Sequence, residues 1–283
     1  MEIKKVGVVG CGLMGSGILE VCARSGYSAV VTEINQEFLD RGMGLLQKSL
    51  GRAVDKGKLS AEDRDATLGR VKSTLQWSDF SDCDIVIEVA IENMEIKKDI
   101  FAKLDSNCPP HAILATNTSC LSVLDMAMAT KRPDQVVGMH FFNPVPVMKL
   151  VEVVTTIVSS EETLATANEF GKSLKKEVIV AKDTPGFIVN CLLIPYLFDA
   201  MRMLEAGVAT KEDIDQGMIL GCSHPMGPLT LSDFVGLDTL HFIGNAMFEE
   251  FKDPKYASPM LLKKMVAAKQ LGRKTKKGFY NYS

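Results

Sequence analysis

The chain has 283 residues, 46% hydrophobic and 24% charged, with a formal net charge of −3. That length holds one large or two modest domains, and the balance is that of a globular protein with ample material for a core. The lack of a basic excess argues against a nucleic-acid partner, and the apolar runs fall short of a membrane span. The first residues lack the basic-then-apolar pattern of a secretory leader, so no signal peptide is expected. The seven cysteines, Cys11, Cys22, Cys83, Cys108, Cys120, Cys191 and Cys222, are scattered without a Cys-x-x-Cys pair, and there are four histidines. Neither a disulfide framework nor a metal site is expected, and a reducing cytoplasm is the natural compartment.

In chain order, Val6–Val9 reads as a buried strand, residues 13–25 as a helix and Ser28–Thr32 as a second strand. Residues 36–56 read as a long helix, and Ser60 opens another with an acidic residue three positions on. These two form a helical hairpin inserted in the alternating pattern. Asp84–Ala90 has few polar residues, as expected of a strand covered on both faces. Strands follow at Ala112–Ala115, Val136–Met139, Leu150–Val154 and Val178–Ala181. Strands alternating with helical stretches imply a parallel sheet with crossover helices. The pattern changes at Pro185-Gly186, a strong punctuator. Beyond it, residues 187–206, 210–221, 228–250 and 258–270 read as helices. The expected architecture is an α/β Rossmann-type domain over residues 1–185, followed by an all-α domain over 186–283.

Gly10, Gly12 and Gly15 stand in the order Gly-x-Gly-x-x-Gly, with Leu13 and Met14 between, at the first strand-to-helix junction. Gly10 permits a tight turn, Gly12 lets backbone approach a pyrophosphate, and Gly15 allows close helix–strand packing. The helix N-terminus offers free N–H groups to phosphate. Glu33 ends the second strand, where an acidic residue accepts from ribose hydroxyls. The alternative is a surface carboxylate capping the next helix. In the ribose role Glu33 repels a 2′-phosphate, so NAD is expected over NADP.

His140 follows a strand, where open α/β sheets bind their ligands. Oxidation of an alcohol needs a base for the hydroxyl proton, and histidine suits that task near neutral pH. Glu152, inside the apolar run Leu150–Val154, asks for a partner and is a candidate to orient the ring. The alternative is a strand edge with Glu152 in water. Ser119, in Thr116–Ser119, lines the same crevice or belongs to a polar loop capping the next helix. Asn190 reaches back toward the first domain or satisfies helix backbone. His224, in His224–Leu229, reads as part of a helix start set by Pro225 and Pro228. His111 and His241 are left as surface or core residues.

Six segments carry more than a pattern: GCGLMGSG, NTSCLSV, HFFNPVPVMKLVEVV, KDTPGFIVN, HPMGPL with DFVGLD, and LGRKTKKGFYNY. Together they resemble the 3-hydroxyacyl-CoA dehydrogenases, with the short, free-standing 3-hydroxybutyryl-CoA dehydrogenases the nearest members, over essentially the whole chain. The resemblance implies a Rossmann-type domain and a helical domain that forms much of a homodimer interface. It implies reversible, NAD-dependent oxidation of (S)-3-hydroxyacyl-CoA to 3-oxoacyl-CoA. It gives His140 the acid/base role, Glu152 that of its partner, and Ser119 and Asn190 the substrate oxygens. Glu92, Lys97, Ser119, Asn143 and Lys274 match cofactor contacts. Ser49, Arg52 and Lys56 match the part of the family that meets coenzyme A, and their spacing puts them on one helix face. Such a basic face suits phosphates; a solvated helix surface is the alternative.

This sequence has Cys11 where the family often has Ala, Glu33 for Asp, Arg52 for Lys, Cys120 for Ser and Cys191 for Arg. Two other readings stand beside the resemblance: a dehydrogenase of a free hydroxy acid, and a non-catalytic NAD-binding protein.

Overall fold

Short runs of aliphatic and β-branched residues build one eight-stranded sheet. In chain order the strands are β1 Lys5–Val9, β2 Ser28–Thr32, β3 Val71–Thr74, β4 Ile85–Glu88, β5 Ile113–Thr116, β6 Val136–Phe141, β7 Leu150–Thr155 and β8 Glu177–Lys182. Their spatial order is β3-β2-β1-β4-β5-β6-β7-β8. The computed structural model describes residues 2–283 and divides into two compact units, Met1–Thr184 and Pro185–Ser283. The sheet lies in the first unit.

Strand order reverses between β1 and β4, which opens a crevice beyond the carboxyl ends of both. Helices α1 (Leu13–Arg24), α2 (Gln36–Asp55), α3 (Ala61–Gly69), α4 (Met94–Asn107), α5 (Val123–Ala127) and α6 (Glu161–Ser173) cover the sheet. The α2–α3 pair is the inserted hairpin. The core is continuous from Val6, Val8 and Ile18 through Leu46 and Ile87 to Met139, Val151 and Phe170.

Local chemistry sets the helix starts. Side chains of Asn35, Ser60, Asn93, Ser122 and Ser160 accept from backbone N–H groups at the N-termini of α2 to α6 in turn. Each such cap contributes about 1 kcal/mol.

Two sequence expectations change in the first unit. The sheet is not wholly parallel: β6 and β7 run antiparallel, because only residues 142–149 join them and no crossover helix intervenes. The strand β3 went unread because it is short and half-exposed, with polar residues at Lys72, Ser73 and Thr74.

The second unit is helical: α7 (Val189–Glu205), α8 (Lys211–Cys222), α9 (Pro228–Val235), α10 (Leu237–Phe251) and α11 (Met260–Ala267). The single helix expected over 228–250 is two. They break at Gly236, whose φ of +104° no helix accommodates. Ile194, Phe198, Met201, Leu229, Leu240 and Met247 form the core of this unit. Two buried carboxylates lash its C-terminal segment. Asp215 accepts from the Leu229 and Thr230 N–H groups and the Tyr280 hydroxyl. Asp233 accepts from the Phe279 and Tyr280 N–H groups and the Tyr282 hydroxyl. Burial and Asp233 together push the Tyr282 hydroxyl up to about 12.

Candidate active site

The glycine motif closes β1 onto α1. Gly10 has a φ of +101°, and a side chain at Gly15 would run into the Gly10 carbonyl oxygen, 1.9 Å from an added Cβ. Gly12 has open space around it. It is the N-cap of α1, with no side-chain cap and no acidic residue in the first turn, whereas α2 to α6 are all capped. The first N–H groups of α1 therefore remain available to an anion. Leu13 is exposed and Met14 half-buried at that helix start.

Glu33 is held by two backbone donors: Oε1 accepts from Cys11 N–H at 2.7 Å and Oε2 from Ile34 N–H at 3.0 Å. Its carboxylate stands in the wall of a cavity of about 680 Å³ that Gly10, Gly12, Phe38, Trp77 and Ile91 also line. An apolar slot with a carboxylate at its edge and uncapped helix N–H groups beside it fits a dinucleotide. Burial, with the nearby Glu33 charge, pushes the Cys11 thiol up to about 12, so this motif cysteine stays a neutral packing group.

The antiparallel turn from β6 to β7 sets the second half of the site. In that register His140 faces Glu152 directly, and His140 Nδ1 lies 2.6 Å from Glu152 Oε2. Glu152 is fully buried, with β8 on its other side, which removes the water-facing alternative. A buried carboxylate takes the Nδ1–H, which leaves the Nε2 lone pair outward. Ser119 Oγ lies 3.2 Å from Nε2, and the Phe142 ring is 4.5 Å from the imidazole, tilted by 55°.

The segment Thr116–Ser119 is tied down at every residue. Asn117 Oδ1 accepts from Phe141 N–H at 2.9 Å, beside His140. Glu92 accepts from Thr118 Oγ1–H and Ser119 N–H, both at 2.8 Å. Lys97 is 1% exposed. Its Nζ donates to both Glu88 oxygens at 2.7 and 2.9 Å and lies 3.6 Å from Glu92. Glu88 is a residue that sequence reasoning missed, and Asn117 lay within the expected segment Thr116–Ser119 without being singled out. Glu88 carried the same signal as Glu152, a carboxylate in an apolar strand. Asn143 is exposed in the loop after β6.

The remaining expected residues lie elsewhere. Ser49, Arg52 and Lys56 line one face at the end of α2, Ser49 half-buried and the two cations exposed. Among the described residues, neither cation is ion-paired with an acidic side chain. Asn190 and Lys274 belong to the second unit. Asn190 is buried on α7, and Lys274 is ion-paired with Asp238. Of the departures, Cys120 is buried and its thiol is pushed up to about 12 by desolvation. Cys191 donates to the Pro185 carbonyl at 3.2 Å.

Residues 5–184 match the family model for the 3-hydroxyacyl-CoA dehydrogenase NAD-binding domain, and residues 186–282 that for the 3-hydroxyacyl-CoA dehydrogenase C-terminal domain. The chain belongs to the 3-hydroxyacyl-CoA dehydrogenase family. It is 50% identical over 282 residues to a 3-hydroxybutyryl-CoA dehydrogenase of Mycobacterium tuberculosis, covering 99% of each chain. It is 47% identical to one of Clostridioides difficile, again over 99% of each. A crystal structure of (S)-3-hydroxybutyryl-CoA dehydrogenase from Ralstonia eutropha superposes with a TM-score of 0.94 at 43% identity, over the full length of both chains. This 3-hydroxyacyl-CoA dehydrogenase is thus an oxidoreductase with an NAD-binding domain.

For a dehydrogenase built this way, His140→Gln is expected to lower kcat about 100-fold or more while dinucleotide binding, read by fluorescence titration, is retained. Glu152→Gln should lower kcat by a smaller factor. An unchanged kcat in His140→Gln would remove His140 from the acid/base role.

Proposed function

We propose that this dehydrogenase interconverts (S)-3-hydroxybutyryl-CoA and acetoacetyl-CoA, with NAD in preference to NADP and with His140 as acid/base. The observation that carries this reading is the buried His140–Glu152 pair, with Nε2 aimed at Ser119. The names of the relatives support the substrate class.

In the oxidative direction His140 Nε2 accepts the proton of the 3-hydroxyl. A bound nicotinamide supplies the hydride acceptor. Glu152 stabilises the imidazolium that results and keeps the ring oriented, so the same nitrogen returns the proton on reduction. Ser119 and Asn190 hold the 3-oxygen and the thioester carbonyl. The N–H groups of α1 hold the pyrophosphate, and Glu33 the adenosine ribose. Glu92, Asn143 and Lys274 complete the cofactor contacts, and Lys97, expected among them, is buried against Glu88 and acts through Glu92.

The unpaired basic face of Arg52 and Lys56, with Ser49 between them and the core, supports a CoA substrate over a free hydroxy acid. The second unit exposes Leu192, Val208, Leu220, Phe234 and Phe242. The proposal of a homodimer through this unit rests on the family resemblance. All seven cysteines are free, which fits a reducing cytoplasm. Among the described residues, no helix is long and apolar enough to cross a membrane.

The direct test follows NADH absorbance with acetoacetyl-CoA and with acetoacetate. Turnover is expected with the thioester, and Arg52→Ala with Lys56→Ala should raise its KM about tenfold or more while the KM for NADH stays put. Turnover of acetoacetate alone would overturn the substrate assignment.

Glu33 supplies a separate expectation. A carboxylate repels a 2′-phosphate, so kcat/KM for NADH should exceed that for NADPH by at least about tenfold, the equivalent of roughly 1.4 kcal/mol. Equal values would contradict the ribose role.

A further inference from the structure

The ion pair between Glu88 and Lys97 is out of water, with 0% and 1% of each residue exposed. Such pairs are weak sources of stability, because desolvation offsets their attraction and an apolar pair of the same volume often serves as well. What this pair does provide is geometry. Glu88 Oε1 accepts from Lys97 Nζ at 2.7 Å and from Ala90 N–H at 2.6 Å. Its Oε2 accepts from Lys97 Nζ at 2.9 Å and from Thr116 Oγ1–H at 2.7 Å. Lys97 also donates to the Ala90 carbonyl at 3.3 Å and faces Glu92 at 3.6 Å. Glu92 in turn accepts from Thr118 Oγ1–H and Ser119 N–H.

Glu88 thus holds the segment Thr116–Ser119 from both ends. It binds Thr116 directly, and it reaches Thr118 and Ser119 through Lys97 and Glu92. That segment ends on the hydroxyl 3.2 Å from His140 Nε2.

We propose that Glu88 is a positioning residue of the reaction, which through Lys97 and Glu92 fixes the Ser119 hydroxyl against His140. The inference rests on the reading of Ser119 and His140 as the groups that meet the substrate. The physical reason lies in the sharing of one cation by two carboxylates. With Glu88 ionised, Lys97 is already matched, and Glu92 is free to spend its oxygens on the Ser119 loop. With the Glu88 charge removed, Glu92 is the remaining carboxylate for a buried ammonium. It is drawn to Lys97 and off the two loop donors, and the Ser119 hydroxyl loses its fixed place. A displacement of about 1 Å at such a group is enough to lower turnover about 100-fold.

The test is a double-variant cycle with acetoacetyl-CoA at saturating NADH. Glu88→Gln is expected to lower kcat about tenfold to 100-fold. In a Ser119→Ala background the same change should cost less than about threefold, since the group it positions is gone. Equal losses in the two backgrounds, or a wild-type kcat in Glu88→Gln, overturn the proposal. Should Glu88→Gln fail to fold by circular dichroism, Glu88→Met with Lys97→Met removes both charges and keeps the volume. No ammonium is then left to draw Glu92 off the Ser119 loop, so kcat within about threefold of wild type is expected; a low kcat would show that Glu92 is not the link and would overturn the proposal. Wild-type kcat in Ser119→Ala itself would remove the reading of the site, and this proposal with it. A loss there combined with an inert Glu88→Gln would remove this proposal alone.

Discussion

The site depends on one strand pairing. Because β7 returns antiparallel to β6, residue 140 meets residue 152 across the ladder with no side chain between them. A parallel continuation would carry Glu152 away from the crevice and leave a carboxylate in an apolar strand without a hydrogen-bonding imidazole opposite it, a costly arrangement. The pairing also explains why β8 follows. It covers the open side of β7 and takes Glu152 out of water, where its effect on the imidazole is strongest.

The same economy recurs at the other carboxylates. Glu33 has its oxygens engaged by Cys11 and Ile34 N–H groups, Glu92 by the Ser119 loop, and Glu88 by Lys97 and Thr116. Each sits at or just beyond the carboxyl end of a central strand, and each is oriented before any ligand arrives. Preorganised groups of this kind need little rearrangement when charge moves. Among α1 to α6, only α1 starts without a side-chain cap, and there phosphate is expected to supply the acceptors.

Much of this was legible in the sequence. The alternation of apolar runs and amphipathic stretches gave seven of the eight strands, because a covered parallel sheet needs continuous aliphatic runs. The glycine motif and Glu33 were readable because backbone approach and ribose contact demand those residue types at that spacing. Glu152 was read as a candidate partner of His140, a role the family resemblance also gave it, but periodicity carries no strand direction, so a wholly parallel sheet was expected and the antiparallel register that pairs the two came only with the structure. β3 was missed because three of its four side chains are polar and a four-residue strand has no periodicity to read. Gly236 was overlooked as a helix break because its flanking residues keep a helical apolar pattern, and a single glycine is tolerated in many helices. Glu88 was missed for a different reason. It stands in an apolar strand as Glu152 does, yet its partner Lys97 lies on the following helix, where a lysine reads as surface.

The central claim is that His140 and Glu152 act as one unit. The most direct measurement is the kcat of the doubly substituted His140→Gln, Glu152→Gln enzyme set beside the two single variants, with acetoacetyl-CoA and NADH. If the carboxylate works through the imidazole, the double variant is no slower than His140→Gln alone, because nothing remains for Glu152 to orient. If the two losses multiply, Glu152 contributes independently of His140 and the unit does not exist.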